Sequence, residues 1–229
     1  MSEKRYRTIV ADPPWPIRWS GGAAWRTNGR GERHLNKRFK KALDYPTMPV
    51  QAICDLPISD LGEQDAVLWL WVTDRFALEG AGAAVARAWG FEPLRFLVWK
   101  KSGIGLGNCP RANHELCLVC QRGRSIFTRK DVPSVHLWKL VYENGARKHS
   151  AKPDGFYDLA LTCSPGPYLE LFARRQRLGW DTWGNEALNH VDLASPPPEP
   201  EPVFHPGQIT VDEAIRLATP PAVQLAFDV

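Results

Sequence analysis

The chain has 229 residues, 44% hydrophobic and 24% charged, with a formal net charge of +4. That length suits one core-bearing domain with an appendage, and the composition excludes a disordered or fibrous chain. No apolar run reaches the roughly 18 residues of a membrane span, so neither a span nor a signal peptide is expected.

Residues 6–11 read as a short buried strand that stops at Asp12-Pro13-Pro14-Trp15. Residues 12–45 are polar, Gly- and Arg-rich, and read as a long loop of the functional or mobile kind. "YPTMPVQAICDLPI" suggests a short helix between prolines. "AVLWLWVT" (66–73) is a continuous apolar strand, the type found in a parallel sheet covered on both faces. "DRFALEGAGAAVARAWG" follows as one helix, with Asp74 able to cap its start and Gly90 to end it. "FEPLRFLVWKKS" is the next strand. A Gly-rich turn leads to a further strand, "HELCLVCQRG". "KPDGFYDLALTCS" reads as a helix with Pro153 in its first turn. "PGPYLELFARR" and "WDTWGNE" supply the last strands. This alternation argues an α/β fold, a mostly parallel sheet with helices on both faces. The character of the chain changes from about residue 194; from 194 to 229 a Pro/Glu linker and a short amphipathic stretch, "TVDEAIRLA", form a tail.

The five cysteines are an odd, scattered set, which fits a reduced cytoplasm. Cys117 and Cys120 form a CxxC, but on a strand an offset of three sends the two side chains to opposite faces. Core cysteines are expected, and no metal. Of the ten tryptophans, Trp69, Trp71 and Trp99 sit in core strands, whereas Trp15, Trp19 and Trp25 sit in polar surroundings.

Asp12 lies at the carboxyl end of a strand, where open α/β sheets bind their ligands. The prolines fix the backbone behind it and supply no N–H, so the corner is rich in acceptors. Trp15 adds a flat apolar plate. Together they suit a planar ligand with an exocyclic amino group, such as adenine. Basic and aromatic residues interleave across 17–41, which suits contact with phosphates and bases.

Asp12-Pro13-Pro14-Trp15 resembles the catalytic motif of the adenine-N6 methyltransferases of the mRNA adenosine methyltransferase catalytic-subunit type, with their small bacterial and phage relatives. "YPTM" (45–48), "RANHELCLVCQRG" (111–123), "HSAKPD" (149–154) and "YLELFARR…GWDTWGNE" (168–186) resemble further blocks of that family, in its order. The catalytic block precedes the cofactor block, which is the permuted arrangement of amino-methyltransferases.

The resemblance implies a Rossmann-like domain over 1–193 that uses S-adenosylmethionine to methylate the 6-amino group of adenine in nucleic acid. It implies that Asp12, Pro13, Pro14 and Trp15 are catalytic. Asp12 would also border the cofactor, with Lys152 on the methionine carboxylate, Glu170, Leu171, Phe172, Arg174 and Gln176 along the cofactor, and Asn185 and Glu186 at its adenosine. Many members carry Gln where this chain has Glu186, and the eukaryotic enzymes carry His and Asn where it has Gln176 and Arg177. Substrate contacts fall to Trp15, Arg18, Lys37, Arg38, Tyr45, His149 and Ser150. DNA is favoured over RNA because no zinc-finger or other RNA-binding appendage is visible; the competing reading of another class is an inactive scaffold paralogue. The resemblance implies no membrane and leaves room for a homodimer.

Overall fold

The computed structural model describes residues 4–16, 25–27, 33–35, 46–103, 110–143, 146–147 and 151–193. The chain divides into two units, Met1–Pro198 and Glu199–Val229, and all described residues lie in the first. The tail expected after residue 193 falls outside them.

The N-terminal apolar run forms β1 (Tyr6–Ala11). The loop expected over 12–45 contains a small antiparallel ladder of β2 (Trp25–Thr27) and β3 (Arg33–Leu35). The proline-bounded segment gives α1 (Val50–Cys54) and a second short helix, α2 (Ile58–Leu61). β4 (Gly62–Val72) is longer than the apolar run alone suggested. The single helix expected next is two: α3 (Asp74–Leu78) and α4 (Ala81–Ala88). The break comes at Gly80, whose φ of 74° is left-handed backbone that an α-helix cannot continue through. Asp74 does not cap; the N-cap is Thr73, without a side-chain bond.

β5 (Glu92–Lys100) and β6 (His114–Arg122) follow, then β7 (Val135–Leu137), β8 (Tyr142–Glu143) and β9 (Ala146–Arg147). α5 (Asp154–Cys163) has Pro153 at its N-cap rather than inside its first turn. β10 (Tyr168–Leu171) and β11 (Trp180–Trp183) complete the sheet.

The seven-stranded sheet has the order β11-β10-β1-β4-β6-β5-β7. Pairing is parallel from β11 through β10 and β1 to β4, and between β5 and β7. β6 alone runs against its two neighbours in this sheet. Its start therefore lies at the edge where the parallel strands end, with Trp99 opposite Glu115 and Lys100 opposite His114. The chain leaving β5 and the chain entering β6 are tied there by the Lys101 amide, which donates to the Asn113 carbonyl at 2.6 Å.

Alternation along the strands builds two cores. On one face Ile9, Leu68, Leu70, Leu118, Leu169 and Leu171 pack beneath α1–α4. On the other, Val67, Trp69, Trp71, Trp99 and Val119 pack against Phe156, Tyr157 and Ala160 of α5. Helices thus cover both faces, as the uninterrupted apolar strands required. Cys120 joins the first core and Cys117 the second, the split that their spacing predicts. Cys54, Cys117, Cys120 and Cys163 are free thiols. Among the described residues no helix is long and apolar enough to cross a membrane, and no cluster has the ligands of a metal site.

Candidate active site

At the carboxyl ends of β1, β4, β10 and β11 lies a cavity of about 490 Å³, within the usual size of a small-ligand site. Asp12 through Trp15 form one wall. Pro46, Thr47 and Met48 stand beside them, Thr73, Asp74, His114 and Glu115 line another side, and Phe172, Arg174, Asn185 and Glu186 line the far end.

The Asp-Pro-Pro-Trp corner is held by its own backbone. The Trp15 amide donates to the Pro13 carbonyl at 2.8 Å, and the Met48 amide to the Pro14 carbonyl at 2.8 Å. Both prolyl carbonyls therefore already accept one backbone bond. The second bond also fixes the 46–49 segment against the corner.

Trp15 is not the open plate that its polar surroundings suggested. Only 3% of it is exposed. Its ring stacks on Phe76 at 5.2 Å between centroids, and its Nε1 donates to the Trp71 carbonyl at 2.9 Å. A large aromatic with one polar atom is most stable where that atom finds a buried partner. Trp15 thus anchors the corner to the end of β4 and forms a fixed wall of the cavity.

Lys152, just ahead of α5, occupies the centre. Its Nζ lies 2.7 Å from Asp12 Oδ2 and 3.3 Å from Glu115 Oε2, and its side chain is 8% exposed. It also sits over the Trp71 ring at 5.2 Å. Glu115 reaches back through its other oxygen to Lys101. Burial opposes the Lys152 charge, but the two carboxylates outweigh it and hold its proton more tightly than usual. Burial pushes the Asp12 carboxyl up, and the nearby Glu115 adds to this, against the pull of Lys152 and Arg174. Glu115 is also opposed by burial, yet Lys152 and Lys101 bring it below its ordinary range. The result is a carboxylate, Asp12, with raised proton affinity at the mouth of a cavity.

At the far end, β10 stops at Phe172, whose φ of 59° is costly for a bulky residue. That kink seats its ring edge-on to Trp183 at 5.3 Å, and the Ala173 amide closes on the Trp183 carbonyl at 2.9 Å. Gly184 passes so close that a Cβ there would stand 2.3 Å from the Ala173 carbonyl oxygen. Arg174 lies 4.0 Å from Glu186.

Other residues singled out in the sequence do not line this cavity or lie outside the described residues. Glu170 points away from the cavity into the α5 face, where it accepts from Tyr157 Oη at 2.6 Å and pairs with Arg177 at 3.3 Å. Leu171 is core, and Gln176 is exposed outside the cavity lining. Strand alternation explains the first two: Leu171 faces α1–α4, and Glu170 the opposite side. Arg177 is tied to Asp154 and Glu170. Arg18, Lys37, Arg38, Tyr45, His149 and Ser150 lie outside the described residues. Two cavity groups went unassigned in the sequence. Glu115 is one. The other is the His114–Asp74 pair, 3.1 Å apart. A His-Glu pair opening an apolar strand was the available signal.

The MT-A70 family profile matches residues 6–186. The type II methyltransferase M.MunI of Mycoplasma sp is 27% identical over 195 residues, covering 81% of this chain and 79% of the relative. The N(6)-adenine-specific methyltransferase METTL4 of Mus musculus is 30% identical over 208 residues, covering 82% of this chain and 39% of the relative. The N6-methyladenosine RNA methyltransferase MTA1 of Pyricularia oryzae is 28% identical over 206 residues, covering 85% and 50%. The chain thus spans most of the first relative and half or less of the other two.

Proposed function

This chain belongs to the MT-A70 family, and on that premise we propose that it transfers a methyl group from S-adenosylmethionine to the 6-amino nitrogen of adenine in DNA. The observation that carries the reading is the placement of Asp12, at raised proton affinity, in one cavity with the Phe172–Arg174 and Asn185–Glu186 ends of β10 and β11.

The donor set fits the cofactor. Arg174 offers a cation, Asn185 an amide and Glu186 a carboxylate, and the Phe172 and Trp183 rings wall that end. When bound, S-adenosylmethionine supplies an electrophilic methyl group on a sulfonium centre. Lys152, bonded to Asp12 and Glu115, and Arg174, beside Glu186, are the Lys and Arg cations of this lining that can meet the methionine carboxylate.

The adenine amine is a weak nucleophile because its lone pair is delocalised into the ring. Asp12 accepts one amino hydrogen, and the Pro13 carbonyl accepts the other. Both bonds draw the nitrogen lone pair out of conjugation. Lys152, bonded to Oδ2, holds the carboxylate in place while the amine is bound. Catalysis then rests on orientation and fixed charge. Asp12, with its raised proton affinity, takes up the proton the amine must lose. Reaching the amine in a duplex requires extruding the base from its stack.

DNA is preferred over RNA because the chain covers 79% of the type II methyltransferase but 50% of the named RNA methyltransferase. The intact Asp12–Trp15 motif speaks against an inactive scaffold. A reducing cytoplasm, prokaryotic or of a phage-infected host, suits a chain whose four described cysteines are free thiols. Transfer of tritiated methyl groups to matched DNA and RNA oligonucleotides tests all of this. Incorporation into adenine of DNA, lost in Asp12→Ala with folding intact, is expected. Incorporation into RNA alone reverses the substrate assignment, and transfer that survives Asp12→Ala refutes the catalytic one.

A further inference from the structure

Lys101 does not line the cavity, yet it closes a row of alternating charges that ends on Asp12. We propose that Lys101 is a positioning residue for Asp12, acting through Glu115 to keep Lys152 assigned to the catalytic carboxylate. This rests on the transfer reaction proposed above only for its catalytic consequence.

The row runs Lys101, Glu115, Lys152, Asp12. Lys101 pairs with Glu115 Oε1, and Lys152 bridges Glu115 Oε2 and Asp12 Oδ2. Lys101 is itself fixed. Its side chain is 19% exposed, its ammonium lies 5.0 Å from the Trp99 ring centroid, and its amide is bonded to Asn113. Lys152 therefore serves two carboxylates, and it is shared unequally, at 2.7 Å to Asp12 against 3.3 Å to Glu115. Lys101 satisfies the charge of Glu115 from the far side, which lets Lys152 lean toward Asp12. Without Lys101, Glu115 becomes the more demanding anion and draws Lys152 away.

Asp12 has other charged and titratable neighbours. Arg174 approaches from beyond β10 and lowers its proton affinity. Glu170 on β10, Tyr157 on α5 and Cys117 on β6 each interact with it electrostatically. Asp74, His114 and Glu186 share its cavity. Glu115 is the neighbour that Lys101 pairs with, so a change at Lys101 should reach Asp12 by way of Glu115.

That route gives opposite signs for two substitutions. Lys101→Met should move the Asp12 titration midpoint up, because Lys152 is drawn off. Glu115→Gln should move it down, because a like charge is removed and Lys152 is left to Asp12. Each shift should be about half to one pH unit, the lower part of the range for a neighbouring charge. In the Glu115→Gln background, Lys101→Met should change nothing further. Lys101→Arg should leave the wild-type midpoint.

The test is a carbon-13 NMR titration of aspartate carboxyls in the full chain, with the Asp12 signal assigned by Asp12→Asn. The acid limb of kcat/KM for adenine methylation is measured alongside and should move with the midpoint. Shifts of the same sign in the two single variants overturn the proposal. So does an effect of Lys101→Met that persists undiminished in the Glu115→Gln background. If Lys101→Met does not fold, Glu115→Gln and Lys101→Arg still decide: a midpoint that fails to fall in the first, or moves in the second, overturns it. The NMR midpoint requires no turnover, so opposite shifts in a protein with no transferase activity would uphold the charge row while refuting the proposed reaction.

Discussion

Replacing Lys152 by methionine keeps the length of the side chain and removes its charge, leaving Asp12 and Glu115 to face each other. Breaking a fully buried ion pair by deleting one partner costs about 3–5 kcal/mol. Here the carboxylates open on the cavity, with side chains 28% and 26% exposed, so solvent relieves part of that cost. A loss of about 2–3 kcal/mol at pH 7 is expected, which for a domain of this size lowers Tm by roughly 4–12 °C. The pH dependence has a definite sign. In the wild type Glu115 is held below its ordinary range, so it stabilises the fold above its unfolded pKa and loses that contribution as pH falls through the folded value. Without Lys152 that contribution shrinks to what Lys101 supplies, and both carboxylates titrate higher. Acidification then protonates one of them and removes the repulsion. The deficit of Lys152→Met should therefore be largest near pH 7–8 and shrink toward pH 5. Urea denaturation at several pH values, followed by circular dichroism, measures it. A deficit under about 1 kcal/mol at pH 7, or one that grows on acidification, would refute the assignment of Lys152 as the shared cation of two carboxylates.

Other substitutions probe the supports of the site. Trp15→Phe keeps a ring on Phe76 but leaves the Trp71 carbonyl without its buried donor, and should cost about 1–3 kcal/mol in denaturant melts. Gly184→Ala forces a Cβ against the Ala173 backbone; it should destabilise by about 1–3 kcal/mol and weaken cofactor binding in calorimetry. Tyr157→Phe removes the bond to Glu170, whose carboxyl is already pushed up by burial. A group with a raised folded pKa favours the fold at low pH and loses that advantage as pH rises through it, so this variant should be hurt more at pH 8 than at pH 5.

Much of the architecture could be read from the chain because apolar runs in a two-sided sheet have few alternatives. "AVLWLWVT" and "HELCLVCQRG" became central strands, and the offset of Cys117 and Cys120 predicted their separate cores. The helix after Thr73 was read as continuous because its composition is helix-forming throughout. Gly80 breaks it through a backbone angle that sequence periodicity does not register. That the Asp12–Trp15 corner, Arg174, Asn185 and Glu186 would stand close together was legible from motif and strand end, and they line one cavity. Trp15 was misread as an open plate, since its burial depends on Phe76 and the Trp71 carbonyl, both more than fifty positions away. Glu170 and Leu171 face the two cores on opposite sides of the sheet, because the cavity begins only beyond the end of β10. The link from Lys101 to Glu115 depends on the antiparallel register of β5 and β6, which no local pattern encodes.

The reversed direction of β6 has a consequence for how such an enzyme could change its target. Because β5 leaves and β6 enters at the same rim, the connection between them starts and ends side by side. Its two ends are fastened by the bond between Lys101 and Asn113. A segment tethered in this way can lengthen without moving the strands that bear the chemistry, and each doubling of its length costs only about 0.6 kcal/mol of closure entropy. Beside the cavity, the fold thus offers a point at which chain can be added while the strands that carry the cavity residues keep their register.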